Sequence, residues 1–125
     1  MESRVDKSSS HTIANLSLGT VLAGNVMVAT SFWTRFKGLL GRTSLPLTDA
    51  LLLKECGSVH TFFMRFAIDV AYLDRDMTVV AIHPNVRPWR IVIGTKGGVH
   101  TLEMAGGAFA LAGLRVGHRL EVRSK

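Results

Sequence analysis

Patterned alternation of apolar and polar residues begins after residue 10. In "TIANLSLG" (12–19) Ala14, Leu16 and Leu18 share one face, and "NVMVAT" (25–30) continues the pattern after the turn signal Gly24-Asn25. A period of two marks a half-buried strand, so these segments predict a β-hairpin. The period then changes. In "TSFWTRFKGLLGRTSLP" Phe32, Phe36, Leu39 and Leu40 recur at i, i+4, i+7 and i+8, one face of a helix near residues 31–41. Thr30 or Ser31 offers an N-cap oxygen, and Gly41 stands where a glycine lets the chain turn out of the helix. Arg35, Lys37 and Arg42 lie off the apolar face.

Beyond Pro46 the pattern is mostly β. "ALLLKE" (50–55) is a buried strand that Cys56-Gly57-Ser58 breaks, and "VHTFFMRFAIDVAYLD" (59–74) is a long apolar stretch closed by the turn "DRDM". "TVVAIH" (78–83), "VHTLEM" (99–104) and "GHRLEV" (117–122) read as further strands. Between them, "PNVRPWRIVIGTKGG" (84–98) has the prolines and glycines of a loop, and residues 106–112 predict a short second helix. The expected fold is α+β: a compact, mainly antiparallel β domain, a curved sheet or partial barrel, spanning residues 11–125. Residues 1–10 lack periodicity and predict a flexible tail.

Composition narrows the setting. The 125 residues are 47% hydrophobic, enough for a core without metal or disulfide support. The single cysteine, Cys56, excludes an internal disulfide and points to a reducing, cytoplasmic location. "MESRVDKSSSHT" has no apolar signal-peptide core, and no apolar run reaches the length of a membrane span. The formal charge is +6, and from residue 77 onward seven basic residues face only Glu103 and Glu121. Such a surface attracts anions of every kind, whether a small ligand, an acidic protein or nucleic acid.

Four blocks, "RFKGLLGR" (35–42), "CGSVHTFFMRFAIDVAYLDRDMTVV" (56–80), "LEMAGG" (102–107) and "GLRVGHRLEV" (113–122), together resemble the bacterial and archaeal family called domain of unknown function 192. The resemblance covers nearly all of residues 31 to 122, and the order and spacing of the blocks make it specific. It implies a compact, strand-rich fold with a helix toward the N-terminal side, and it brings no established activity. Ala67 stands where the family pattern carries a proline. A proline would favour a bend between Arg65 and Asp69; here the bend must come from context.

The charges within the apolar stretch raise the functional question. Arg65 and Asp69 share one face of an extended chain, but four residues span about 13 Å, so they meet only if residues 66–68 turn. In the structural reading Asp69 caps that turn through backbone N–H groups, with Arg65 paired to it or to a neighbouring strand. In the functional reading both line a pocket, and Arg65 binds a carboxylate or phosphate.

Three further constellations offer chemistry. Cys56 and His60 form C-x3-H, with His83, His100 and Glu103 as distant candidates, but a zinc site needs about four ligands and no second paired motif exists, so no metal or other cofactor is expected. Asp69 with Glu103 would make a carboxylate pair, while Glu103 paired to Arg35 or Arg42 would be structural. Trp89 lies between Arg87 and Arg90 and either stacks on a ligand or folds onto the protein. The ligand-binding candidates are therefore Arg65, Asp69, Glu103, Trp89 and His60. A binding or accessory domain without its own catalysis leads. A hydrolase or isomerase using Asp69 or Glu103 with a histidine comes second, and nucleic-acid association third.

Overall fold

The fold, taken from a computed structural model, describes residues 11–29, 43–57, 59–61 and 64–125. The strands are β1 (His11–Asn15), β2 (Thr20–Ala29), β3 (Asp49–Leu53), β4 (Val59–His60), β5 (Ile68–Leu73), β6 (Val79–Val86), β7 (Ile91–Val92), β8 (His100–Ala105) and β9 (Leu120–Ser124). One helix, α1 (Ala108–Ala112), forms among the described residues, within the 106–112 span that the sequence predicts. The helix expected at 31–41 and the tail expected at 1–10 fall outside the described residues.

Seven strands make one sheet in the order β6-β5-β8-β3-β2-β1-β9. Neighbours are antiparallel except β2 and β3, which run parallel with Asn25 opposite Asp49 and Ala29 opposite Leu53. The sheet is therefore mixed, with mainly antiparallel pairing. It also curls until its edges touch. Thr78, just before β6, pairs with Arg119, just before β9, and the Leu120 N–H donates to the Met77 carbonyl at 2.9 Å. Val79 adds two more backbone hydrogen bonds across this seam, its N–H donating to the His118 carbonyl at 2.9 Å and its carbonyl accepting the Gly117 N–H at 2.8 Å. No continuous ladder joins β6 to β9 among the described residues, so the barrel stays open.

The curl gives the sheet two apolar faces. Inside lie Ile13, Val26, Ala71, Leu73, Leu102 and Met104, with Phe109 of α1 plugging the end where β8 finishes. Outside lie Leu51, Leu53, Ile68, Val70 and Tyr72, covered in part by a small antiparallel sheet of β4 and β7 whose Val59 and Val92 turn inward. Fully burying each large side chain of this kind contributes about 1.5–3 kcal/mol. The Tyr72 hydroxyl donates to the Val92 carbonyl at 2.8 Å and ties the small sheet to the large one.

Several elements depart from their sequence pattern for identifiable reasons. The first strand ends at Asn15, whose side-chain oxygen accepts the Leu18 N–H at 3.1 Å; Leu16 and Leu18 are thus exposed in a turn and do not share a strand face with Ala14. Gly24-Asn25 is a bulge within the continuous strand β2, because both N–H groups turn to the Thr48 carbonyl and the register against β1 shifts there. The stretch 59–74 is two strands on two sheets, with the chain bending between them. β6 runs on through Pro84, a residue tolerated there because β6 is an edge strand.

Candidate functional site

The bend between β4 and β5 starts at Thr61, which is fully buried. Its hydroxyl donates to the Arg87 carbonyl at 2.6 Å and accepts the Arg90 N–H at 2.9 Å. Its backbone donates to the Arg90 carbonyl at 2.8 Å and accepts the Trp89 N–H at 3.1 Å. A single threonine thus fastens the whole 87–90 loop. Arg65 lies beyond it on the exposed outside of the bend, and among the described residues no carboxylate pairs with it.

Asp69 goes the other way. It is fully buried on the inner face, and its two oxygens accept N–H groups from Asn85 at 2.8 Å, Gly107 at 3.1 Å and Phe109 at 2.9 Å. Gly107 occupies the N-cap of α1 and has no side chain to cap it, so Asp69 supplies the missing acceptor from across the sheet. Gly106 is required for the same junction: a Cβ there would come 2.5 Å from the Asn85 side-chain oxygen and 3.3 Å from the Ala67 carbonyl. "ID" at 68–69 and "AGG" at 105–107 are therefore two halves of one structural device. The cap belongs to α1 and β6, not to a turn at 66–68, and Arg65 takes no part in it.

Glu103 is also fully buried, but on the opposite face. Asp69 sits opposite Met104, an inner-face residue, while Glu103 sits between Leu51 and Val70 of the outer face. The sheet itself separates the two carboxylates, which removes the carboxylate pair as an acid–base device. Arg35 and Arg42, the structural partners expected for Glu103, lie outside the described residues. His60 is half-buried on β4, paired across to Ile91. Cys56 offers its carbonyl to the Thr101 hydroxyl. Among the described residues no group of three or more His, Cys, Asp or Glu gathers as a metal site.

Trp89 is 55% exposed, between exposed Arg87 and Arg90. Of the five sequence candidates, Trp89 and Arg65 are at the surface, Asp69 and Glu103 are interior on separate faces, and His60 is on the small sheet. They do not form one site.

The structure instead opens a cavity of about 690 Å³ at the end of the curled sheet opposite α1. Leu52, Met77, Leu120 and Val122 supply its apolar wall, and Lys54, Glu55, Arg75, His100 and Glu121 supply its rim. Register explains the gathering, since Leu53 faces Thr101 and Leu73 faces His100, bringing the ends of β3, β5 and β8 together. His100 Nδ1 accepts the Glu55 backbone N–H at 3.0 Å, which places the ring proton on Nε2. Partial burial, then the nearby Lys54, lowers the His100 pKa below its ordinary value, so the neutral donor form is favoured. Glu121 is held by Arg123 at 2.5 Å. Glu55 and Met77 both adopt left-handed backbone, at φ 55° and 65°, a strained state that recurs at ligand sites. No sequence motif marked this cavity, because its residues come from strand ends and turns far apart in the chain.

The DUF192 family model, described as an uncharacterized ACR, matches residues 14–122. A UPF0127 protein of Thermococcus sibiricus is 28% identical over 113 residues, covering 87% of this chain and 73% of that protein. A UPF0127 protein of Pyrococcus abyssi is 31% identical over 112 residues, covering 87% of this chain and 95% of that protein. A crystallised protein of Sinorhizobium meliloti, provisionally designated a transcription regulator, superposes with a TM-score of 0.77 at 21% identity, over 90% of this chain and 91% of its own. At that identity the likeness is one of fold.

Proposed function

Because the chain belongs to DUF192, a family of unknown function, we propose from its own geometry that residues 11–125 form one binding domain with its ligand in the mouth of the curled sheet. The cavity carries this reading: it joins an apolar wall to a polar rim, the usual anatomy of a small-molecule site at the end of a barrel. The ligand class follows from the rim. Among the described residues Lys54 and Arg75 make no ion pair and Glu55 is the one rim carboxylate outside an ion pair, Glu121 being engaged by Arg123, while His100 offers Nε2–H. An apolar body with an anionic head fits that set. The reading is of binding, not turnover, because Asp69 commits both oxygens to backbone N–H groups and Glu103 lies across the sheet from it. One cysteine and no internal disulfide suit a reducing, cytoplasmic setting.

The test uses octanoate as the probe and protein labelled with ¹³C in the methionine and leucine methyl groups. Saturable shifts at Met77, Leu52 and Leu120 are expected with octanoate, and weaker ones with octylamine, whose head is cationic. Val122→Trp fills the cavity from its partly open side and abolishes the octanoate shifts while leaving the fold intact. Shifts that never saturate, or that persist in the tryptophan variant, would remove the mouth as the site.

A further inference from the structure

The small sheet carries a surface that the mouth does not use. Trp89, Ile91 and Ile93 are 55%, 62% and 72% exposed at alternate positions, while Val92 between the isoleucines is buried against the large sheet. Arg87 and Arg90 flank the tryptophan and are both exposed. From Met77 to Leu102 the chain contains no aspartate or glutamate, so no carboxylate in that run offsets Arg87, Arg90 and Lys96. The loop is also tied down by hydrogen bonds. Four hydrogen bonds of 2.6–3.1 Å to Thr61 lock residues 87–90, and they hold Trp89 in left-handed backbone at φ 64°. An apolar ridge with a cationic border, fixed in advance by a buried residue, loses little freedom when it docks.

We propose that Trp89, Ile91 and Ile93 dock this protein on an anionic lipid surface, with Arg87 and Arg90 on the headgroup phosphates. A lipid interface accommodates all three apolar side chains at once: tryptophan at headgroup level, aliphatic branches at the acyl boundary, arginines in the phosphate layer. Nucleic acid explains only part of the set. Trp89 can stack on a base, but isoleucines have no π-face and would stay wet beside a phosphate backbone. A protein partner of ordinary interface size would cover roughly 800 Å² on each side, more than a ridge of three side chains on a two-residue strand presents. No helix among the described residues is long and apolar enough to cross a membrane; the contact proposed is that of the ridge alone, laid on the surface.

Co-sedimentation with phosphatidylcholine vesicles, with and without phosphatidylglycerol, tests the proposal. The full chain should pellet with the anionic vesicles, and its partition should weaken as salt rises. Ile91→Ser with Ile93→Ser, and separately Trp89→Ala, should each lower that partition at least tenfold. Arg87→Gln and Arg90→Gln should each lower it about fivefold, as loss of one cation near such a surface implies, and should narrow the gap between vesicle types. All these side chains are exposed, so an unchanged melting temperature separates lost docking from lost folding. Equal partition of the double serine variant, or no preference for anionic vesicles, overturns the proposal. So does single-stranded oligonucleotide binding that Trp89→Ala abolishes and the double serine variant retains, since that assigns the ridge to nucleic acid.

Discussion

Arg65 and Asp69 stand four positions apart in one apolar run, yet the fold sends the first to solvent and the second beneath the N-terminus of α1. The difference is what each can satisfy when buried. A carboxylate accepts several N–H groups at once, and Asp69 meets three backbone donors that nothing else in the sheet would satisfy. Asp69→Ala should therefore cost about 3 kcal/mol or more, since each orphaned buried donor costs about 1–3 kcal/mol. Asp69→Asn, which keeps one acceptor oxygen, should cost less. Urea unfolding measures both, and an alanine variant that unfolds at the wild-type midpoint would refute the capping role. The structural use of Asp69 was legible in the sequence as a capping carboxylate, but its partners were not. They sit 16 to 40 residues away, and the registers of β5 against β6 and against β8 bring them in.

Elements were easiest to read where one physical signal dominated. β3, β8 and β9 follow from short apolar runs with flanking breakers, and α1 follows from the glycine pair before an apolar turn. Local pattern misleads where two signals compete. Gly24-Asn25 is turn chemistry in isolation, yet it bulges a strand because the Thr48 carbonyl collects both N–H groups. The split of residues 59–74 depends on a second sheet that no local pattern announces. That sheet is held by backbone packing as well as by Val59 and Val92. A Cβ on Gly94 would fall 1.6 Å from the Gly57 carbonyl oxygen, so one of the two segments would have to move. Gly94→Ala should destabilise by about 1–3 kcal/mol, the usual cost of overpacking, and the loss should be local. Hydrogen exchange is expected to speed up at the Thr61 and Arg90 amides, which bond across this region, while the amides of β5 and β8 keep their protection. Uniform loss of protection in both sheets would mean that the small sheet is no separate unit.

At the scale of the whole molecule, the curl is what turns separate strand ends into a mouth, and the bridge between Thr78 and Arg119 holds it in shape. The curved sheet was foreseeable from many short strands, but the cavity was not, because each of its residues looks like an ordinary turn or strand terminus on its own. The mouth is also expected to make folding sensitive to acid. The charges that act on His100 there are Lys54 and Glu55 after β3 and Asp74 and Arg75 after β5. Burial and the two cations outweigh the two carboxylates, so its pKa is lower folded than unfolded. A lowered folded value means that the unfolded chain binds the proton first. The contribution of His100 to stability is therefore complete above about pH 6.5, the unfolded histidine value, and it shrinks as pH falls below that toward the folded value. Protonation would also take Nδ1 away from the Glu55 N–H and leave that donor without its acceptor. His100→Gln keeps a hydrogen-bonding side chain but cannot titrate. Thermal unfolding between pH 5 and pH 8 should show the wild-type melting temperature dropping on the acid side, with a flatter profile for the glutamine variant. Parallel profiles for the two proteins would place the acid sensitivity elsewhere and leave the mouth histidine a bystander.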